Sequence, residues 1–294
     1  MPSLLDRIVE LSGLPLTDAR PLSGGEQGGA TLAASPAGPV VVKVQRDPTK
    51  AARLLAAAPI VMASQSRWPI ARWLAAAPLP CGAFYLQEYV PGTSLDTAEA
   101  SNVEAVIAAN ARQYGLGNGE LFDHSAQVVA VTSGQHAWFE DVARRSRIGA
   151  AFAERALALV ASAGATSLPN NDIVHGDLSA SNIIINRHGD ARFIDSESVG
   201  CGHRALDLAD LYRQCATGGY APASTLNRLA AAGVRSAGVP RFITCVVGAT
   251  LNNLAWHAVN RALDEYEWMC SRAQRVLDRI QDDCADTGAP ASSR

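Results

Sequence analysis

Apolar positions change their period twice along this chain. The opening residues, MPSLLDRIVELSGL, set Asp6, Arg7 and Glu10 between apolar positions at helical spacing and predict an amphipathic helix. From Pro21 to Gln45 the pattern shortens. A glycine-rich connection, the run TLAAS, a turn at Pro36-Ala-Gly38 and the β-branched run PVVVKVQ predict a β-hairpin. Pro48 to Leu74 reads as mostly helical, broken by Pro59 and Pro69. GAFYLQEYV, Gly82 to Val90, reads as a strand that Pro91-Gly92 terminates.

Beyond Leu95 the spacing of apolar residues is again three and four. Val103 to Tyr114 and Ala137 to Ala163 predict long helices. Ile173 to Glu197 returns to short β runs, IVH, NIIIN and ARFID, with Arg187-His-Gly-Asp190 as the turn between the last two. From Arg204 to about Asp283 the chain reads as helical. The expected fold class is α+β with two lobes. A small β-rich N-lobe would span 1–90 and a larger, mainly helical C-lobe 91–294, with the joint near residues 88–95.

Composition narrows the function classes. A net charge of −3 over 294 residues argues against a nucleic-acid partner, which needs clustered basic side chains to neutralise phosphates. The N-terminus lacks the apolar core of a signal peptide, and no uninterrupted run has the length of a membrane span, so no membrane partner is expected. Six cysteines show no CxxC pair and read as core thiols in a reducing compartment, which makes the cytoplasm the expected location. Lys43 and Lys50 are the only lysines among 25 basic residues, so a lysine inside VVVKV calls for a reason.

The residues that carry chemistry are His175-Gly-Asp-Leu-Ser-Ala-Ser-Asn182 and, across a hairpin, Phe193-Ile-Asp195. Phosphoryl transfer needs a carboxylate to orient the attacking hydroxyl and accept its proton, together with oxygen ligands for the Mg²⁺ that bridges the phosphates. Asp177 suits the first role, and Asn182 and Asp195 suit the second.

VHGDLSASNIII…FIDSESVG resembles the aminoglycoside phosphotransferase family, whose members share the bilobal fold of protein kinases. Leu86-Gln-Glu-Tyr-Val-Pro-Gly92 is similar to the family's hinge strand and Leu206-Asp-Leu-Ala209 to its post-loop helix. The resemblance implies ATP and Mg²⁺ as cofactors. It also implies that Lys43 contacts the α- and β-phosphates, that Asp207 braces the catalytic loop, and that His175 is structural. Ser23, Gly24, Gly25 and Gly28 would cover the phosphates with backbone N–H groups, and main-chain atoms of Glu88, Tyr89 and Val90 would bind adenine.

One departure stands out. Kinases pair the strand lysine with a glutamate on the following helix, but no Asp or Glu occurs between Asp47 and Glu88. Lys43 would then pair with Asp195 or with a polar residue such as Gln65, or the helix register differs from the family's. The acceptor implied by the resemblance is a small-molecule hydroxyl. The leading expectation is a cationic antibiotic, an aminoglycoside or basic cyclic peptide, with Asp264, Glu265 and Glu267 as candidate cation-binding residues. A metabolic kinase of the choline, homoserine or sugar-amine type is the alternative. A non-catalytic nucleotide- or drug-binding protein is a third reading, supported only by the missing glutamate. Trp256, Tyr266 and Trp268 could line a pocket, although aromatics at such spacing are more often core, and the oligomeric state stays open.

Overall fold

Helix α1 (Leu4–Ser12) is fixed at both ends by its own sequence. Ser3 and Asp6 close a reciprocal capping box, and Gly13 ends the helix at φ 66°. The computed structural model describes residues 3–22, 30–95, 100–164, 167–219 and 221–288. After α1 come β1 (Thr17–Pro21), β2 (Thr31–Ala34) and β3 (Val40–Gln45), then α2 (Pro48–Ser64), β4 (Trp73–Leu79) and β5 (Gly82–Glu88). They build an antiparallel sheet in the order β1-β2-β3-β5-β4. Alternation along β3 and β5 sends Val42, Phe84 and Leu86 to a small core under α1 with Ile8 and Leu79. The other face carries Lys43 and, directly opposite it across the strands, Tyr85.

Two expectations need correcting here. Pro59 does not break the helix: α2 runs through it to Ser64, with Pro59 exposed. Asp47 caps α2 by accepting from the Lys50 N–H at 2.9 Å, and Pro48 stands at the start of the helix, where its missing N–H is harmless. The helical reading is also wrong beyond Ser64. Trp73–Leu79 is alanine-rich and looks helical alone, but pairing along β5 makes it a strand.

The second part contains β6 (Thr93–Ser94), α3 (Ala100–Ala111), α4 (His124–Thr132), α5 (Ala137–Arg145), α6 (Arg147–Ala163), β7 (Asp172–Val174), β8 (Ile183–Ile185), β9 (Ala191–Phe193) and β10 (Gly200–Gly202). It closes with α7 (Ala205–Gly218), α8 (Ala223–Ala237), α9 (Val239–Asn260) and α10 (Leu263–Gly288). The single helix expected over 137–163 is two, because Ser146 is extended and its hydroxyl caps α6 by accepting from the Gly149 N–H. At Gly149, where α10 crosses, a methyl group would collide with the Val142 carbonyl and the Tyr266 hydroxyl. Gly149→Ala is therefore expected to destabilise the fold by about 1–3 kcal/mol, a loss that urea denaturation would measure. An unchanged midpoint would mean that α10 shifts freely.

Helix α9 is long and apolar enough to cross a membrane by composition, and 67% of its apolar window is buried inside the protein, between α7, α6, α5 and α10. Cys201, Cys215, Cys245, Cys270 and Cys284 are buried free thiols, whereas Cys81 is exposed. The architecture is an N-terminal antiparallel sheet joined to a larger helical part, the bilobal kinase-like fold anticipated from the sequence.

Candidate active site

The loop after β7 is held from beneath. The carboxylate of Asp207, in the first turn of α7, accepts from the backbone N–H groups of His175 at 2.8 Å and Gly176 at 3.0 Å, and from Gln113 Nε2 at 2.7 Å. Asp207 is buried, and that burial pushes its carboxyl above the ordinary carboxylate range. His175 is also buried and reaches across to the Ile194 carbonyl at 2.7 Å, tying the loop to the strand that delivers Asp195. Gly176 sits at φ 78°, and a side chain there would run into the Ser198 carbonyl and the His124 ring. That crowding explains a glycine where protein kinases carry arginine.

This support leaves Asp177 at the floor of a cleft, with its carboxyl reaching solvent. Partial desolvation and the neighbouring Asp210 push its carboxyl up, while His175 and Arg213 act the other way. Asn182 Nδ2 donates to the Asp177 carbonyl at 2.9 Å, which leaves the amide oxygen of Asn182 for another partner. Asp195 adopts a left-handed backbone at φ 61°, one of two such non-glycine residues among those described. That conformation costs about 1–2 kcal/mol and is typical of functional turns.

Lys43 Nζ ion-pairs with the Asp195 carboxylate. Of the two partners considered for Lys43, the structure selects Asp195. Gln65 is engaged elsewhere, accepting from the Trp73 N–H at 2.8 Å. Glu197, two residues on, accepts from Gln45 at 3.4 Å, and burial together with Asp195 pushes its carboxyl up. Asn182 and Asp195 fit Mg²⁺, which prefers few protein ligands and keeps water and phosphate oxygens for the rest of its shell. No group of three or more His, Cys, Asp or Glu converges among the described residues.

At the joint, the N–H groups of Glu88 and Tyr89 are already committed to the Arg72 and Pro39 carbonyls at 2.8 and 3.0 Å. The Glu88 carboxylate pairs with Arg192 at 2.5 Å. Among the described residues no backbone hydrogen bond engages the Val90 N–H. Ser23, Gly24, Gly25 and Gly28 lie outside the described residues.

A cleft of about 500 Å³ opens above Asp177. Its walls come from Phe122, His124 and Gln127 at the start of α4, Trp138 on α5, and Asn252, Asn253 and Trp256 on α9. Lys50 and Arg53 form the side toward α2, with Arg53 stacked over Phe122 at 3.8 Å. Glu197, Asp210, Arg213, His257 and Arg261 also line the cleft. Asp264, Glu265 and Glu267 are not part of this lining. They lie in the first turns of α10, where Asp264 and Glu265 are exposed and Glu265 stands 3.9 Å from Arg261. The aromatics divide differently from the expectation. Tyr266 is core, Trp268 is exposed under Arg272, and Trp256 faces the cleft. Asn252, Asn253 and Trp256 share one face of α9 at helical spacing, a polar and aromatic stripe on an otherwise apolar helix.

Comparison with known proteins follows the same lines. None of the curated proteins compared with the chain matches it. A thermostable mutant of aminoglycoside phosphotransferase APH(4)-Ia, in ternary complex with ADP and hygromycin B, superposes with a TM-score of 0.68 at 15% identity, covering 99% of this chain and 100% of that one. An aminoglycoside phosphotransferase from Alicyclobacillus acidocaldarius gives 0.63 at 16% identity, with 97% and 98% covered. Macrolide 2'-phosphotransferase MphH from Brachybacterium faecium gives 0.60 at 18% identity, with 99% of both chains covered. At such identities the likeness speaks for the fold. Residues 18–243, most of the chain, match the APH phosphotransferase enzyme family, and the chain belongs to it.

Proposed function

We propose that this enzyme transfers the γ-phosphate of ATP to a hydroxyl of a small molecule, with an antibiotic as the acceptor. The observation that carries the reading is that Asp177 opens into the cleft, Asn182 bonds to the Asp177 carbonyl, and Lys43 pairs with Asp195, whose charge acts on Asp177. Asp177 accepts the proton as the acceptor oxygen attacks the γ-phosphorus, the bond to the bridging oxygen breaks, and ADP leaves. Lys43 and the main chain near Val90 orient the nucleotide. Asn182 and Asp195 would hold Mg²⁺, which would supply charge neutralisation on the phosphates. The reaction belongs in the cytoplasm, where ATP is supplied and free thiols stay reduced.

The cleft's lining bears on the acceptor. A polycation needs carboxylates beyond the catalytic ones; Asp264, Glu265 and Glu267 are not in the lining, which offers Asp210 and Glu197. Asp210 is held by Arg213 at 2.5 Å, and Lys50, Arg53 and Arg261 add positive charge. Trp138, Trp256 and Phe122 offer stacking surface, and Asn252, Asn253 and Gln127 offer neutral hydrogen bonds. This composition favours a hydroxylated acceptor with an apolar body and little positive charge over an aminoglycoside or basic cyclic peptide.

The test is susceptibility of a host expressing the chain to aminoglycosides, basic peptides, macrolides and other hydroxylated antibiotics, with Asp177→Ala in parallel. Protection against a weakly charged class that disappears in the variant is the expected result. Protection that survives in the variant would point to drug sequestration. Protection from nothing would move the assignment to a metabolic small-molecule kinase.

A further inference from the structure

The turn Asp195-Ser196-Glu197 is gripped residue by residue from the N-terminal sheet. Asp195 accepts from the Tyr85 hydroxyl at 3.3 Å and is ion-paired by Lys43. Ser196 Oγ accepts from Trp73 Nε1 at 2.9 Å, and both side chains are buried. Glu197 accepts from Gln45. The donors come from β3, β4 and β5, and the two aromatic donors stack on each other with ring centroids 4.6 Å apart. On its inner side α2 supplies apolar residues, among them Ala51, Leu54, Ala57, Ala58 and Val61, to the core that contains Trp73 and Tyr85. No helix carboxylate is available to fix Lys43, and Lys43 therefore falls to Asp195 itself.

We propose that Tyr85 and Trp73 are positioning residues for Mg²⁺-nucleotide binding. Together they perform, from the sheet, the task for which kinases use a helix glutamate. Tyr85 is placed for this by register: it lies opposite Lys43 on the cleft face of the sheet, so both heads meet the same carboxylate. Trp73 anchors the next residue, so the left-handed backbone at Asp195 is held on both sides of the ligand carboxylate. A turn of that conformation persists only where its surroundings over-determine it, and here the surroundings are the N-terminal strands. The proposal rests on the phosphotransferase reading above, in which Asp195 is a metal ligand.

The experiment is calorimetric titration of the full-length chain with ADP, with and without Mg²⁺. It compares wild type, Tyr85→Phe and Trp73→Phe with Phe84→Leu, which perturbs the opposite face of the same sheet. Thermal midpoints are recorded for all four. The expected result is that Mg²⁺ tightens ADP binding in wild type and that Tyr85→Phe loses about tenfold of that tightening, as for one hydrogen bond to a charged acceptor. Mg²⁺-free affinity should stay within about twofold of wild type. Trp73→Phe should behave likewise, and Phe84→Leu should lower the midpoint while keeping the Mg²⁺ effect. If Tyr85→Phe and Trp73→Phe keep the full Mg²⁺ effect, or lose it only as far as Phe84→Leu does, the proposal is wrong and the phosphotransferase reading stands. If wild type shows no Mg²⁺ effect on ADP, the metal-ligand reading of Asp195 fails and the proposal fails with it.

Discussion

Asp177→Asn should lower kcat by about a thousandfold while leaving ADP affinity close to wild type. The substitution keeps the shape of the side chain and removes only its capacity to accept a proton. The loop that carries it is held by other residues: Asp207 binds the His175 and Gly176 N–H groups, and Asn182 bonds to the Asp177 carbonyl rather than to its carboxyl. No scaffold contact is therefore lost with the charge. Desolvation and Asp210 already hold the Asp177 carboxyl above its ordinary range, which makes it a better base than a fully hydrated aspartate. Steady-state kinetics beside ADP titration separates the two effects. A fall in ADP affinity matching the fall in kcat would mean that Asp177 holds the nucleotide site together instead.

The second large effect is on stability. Asp207→Ala strands three donors inside the protein, the N–H groups of His175 and Gly176 and the Gln113 amide. Each unsatisfied buried group costs about 1–3 kcal/mol, so a loss of about 3–5 kcal/mol is expected in urea denaturation. Asp207→Asn should fall between, because an amide keeps one accepting oxygen but turns an NH₂ toward a donor. Gln113 also accepts from Asn110 at 2.5 Å, and Asn110 in turn donates to the Arg204 carbonyl at 3.0 Å, so the damage spreads along a chain of buried polar groups. Should Asp207→Ala cost less than about 1 kcal/mol, the loop's backbone must find other acceptors, and Asp207 is not its brace.

What the sequence made legible follows from distance along the chain. Asp177 and Asn182 lie within eight consecutive residues and Asp195 across one short hairpin, so their types and spacing could be read together. Lys43 was legible as a rare lysine inside a β-branched run. Its pairing with Asp195 could only be narrowed to two partners, because that choice depends on which residues the fold leaves beside it. The cleft walls were not legible, since α9 contributes to them from positions more than a hundred residues beyond α4 and α5. The carboxylates of α10 could not be placed relative to the cleft for the same reason. Charge density in sequence says nothing about the direction a helix faces, and α10 presents Tyr266 and Cys270 to the core while Asp264 and Glu265 stay outside. Trp73 and Leu74, the end of the stretch read as helical, begin a strand instead, because pairing with β5 overrides local propensity. Tyr85 and Trp73 carried no signal beyond two aromatics in apolar surroundings. Their polar tips matter only once Asp195 and Ser196 are folded against them.

The central claim is group transfer from ATP to a hydroxyl through Asp177. It is tested most directly by incubating wild type and Asp177→Asn with ATP, Mg²⁺ and the antibiotic that gives protection, and following phosphorus by NMR. A new phosphomonoester signal that rises in step with ADP in wild type, and is absent in the variant although it still binds ADP, is the predicted result. ATP hydrolysis to free phosphate with the antibiotic unmodified, or the same phosphomonoester formed equally fast by Asp177→Asn, would contradict it.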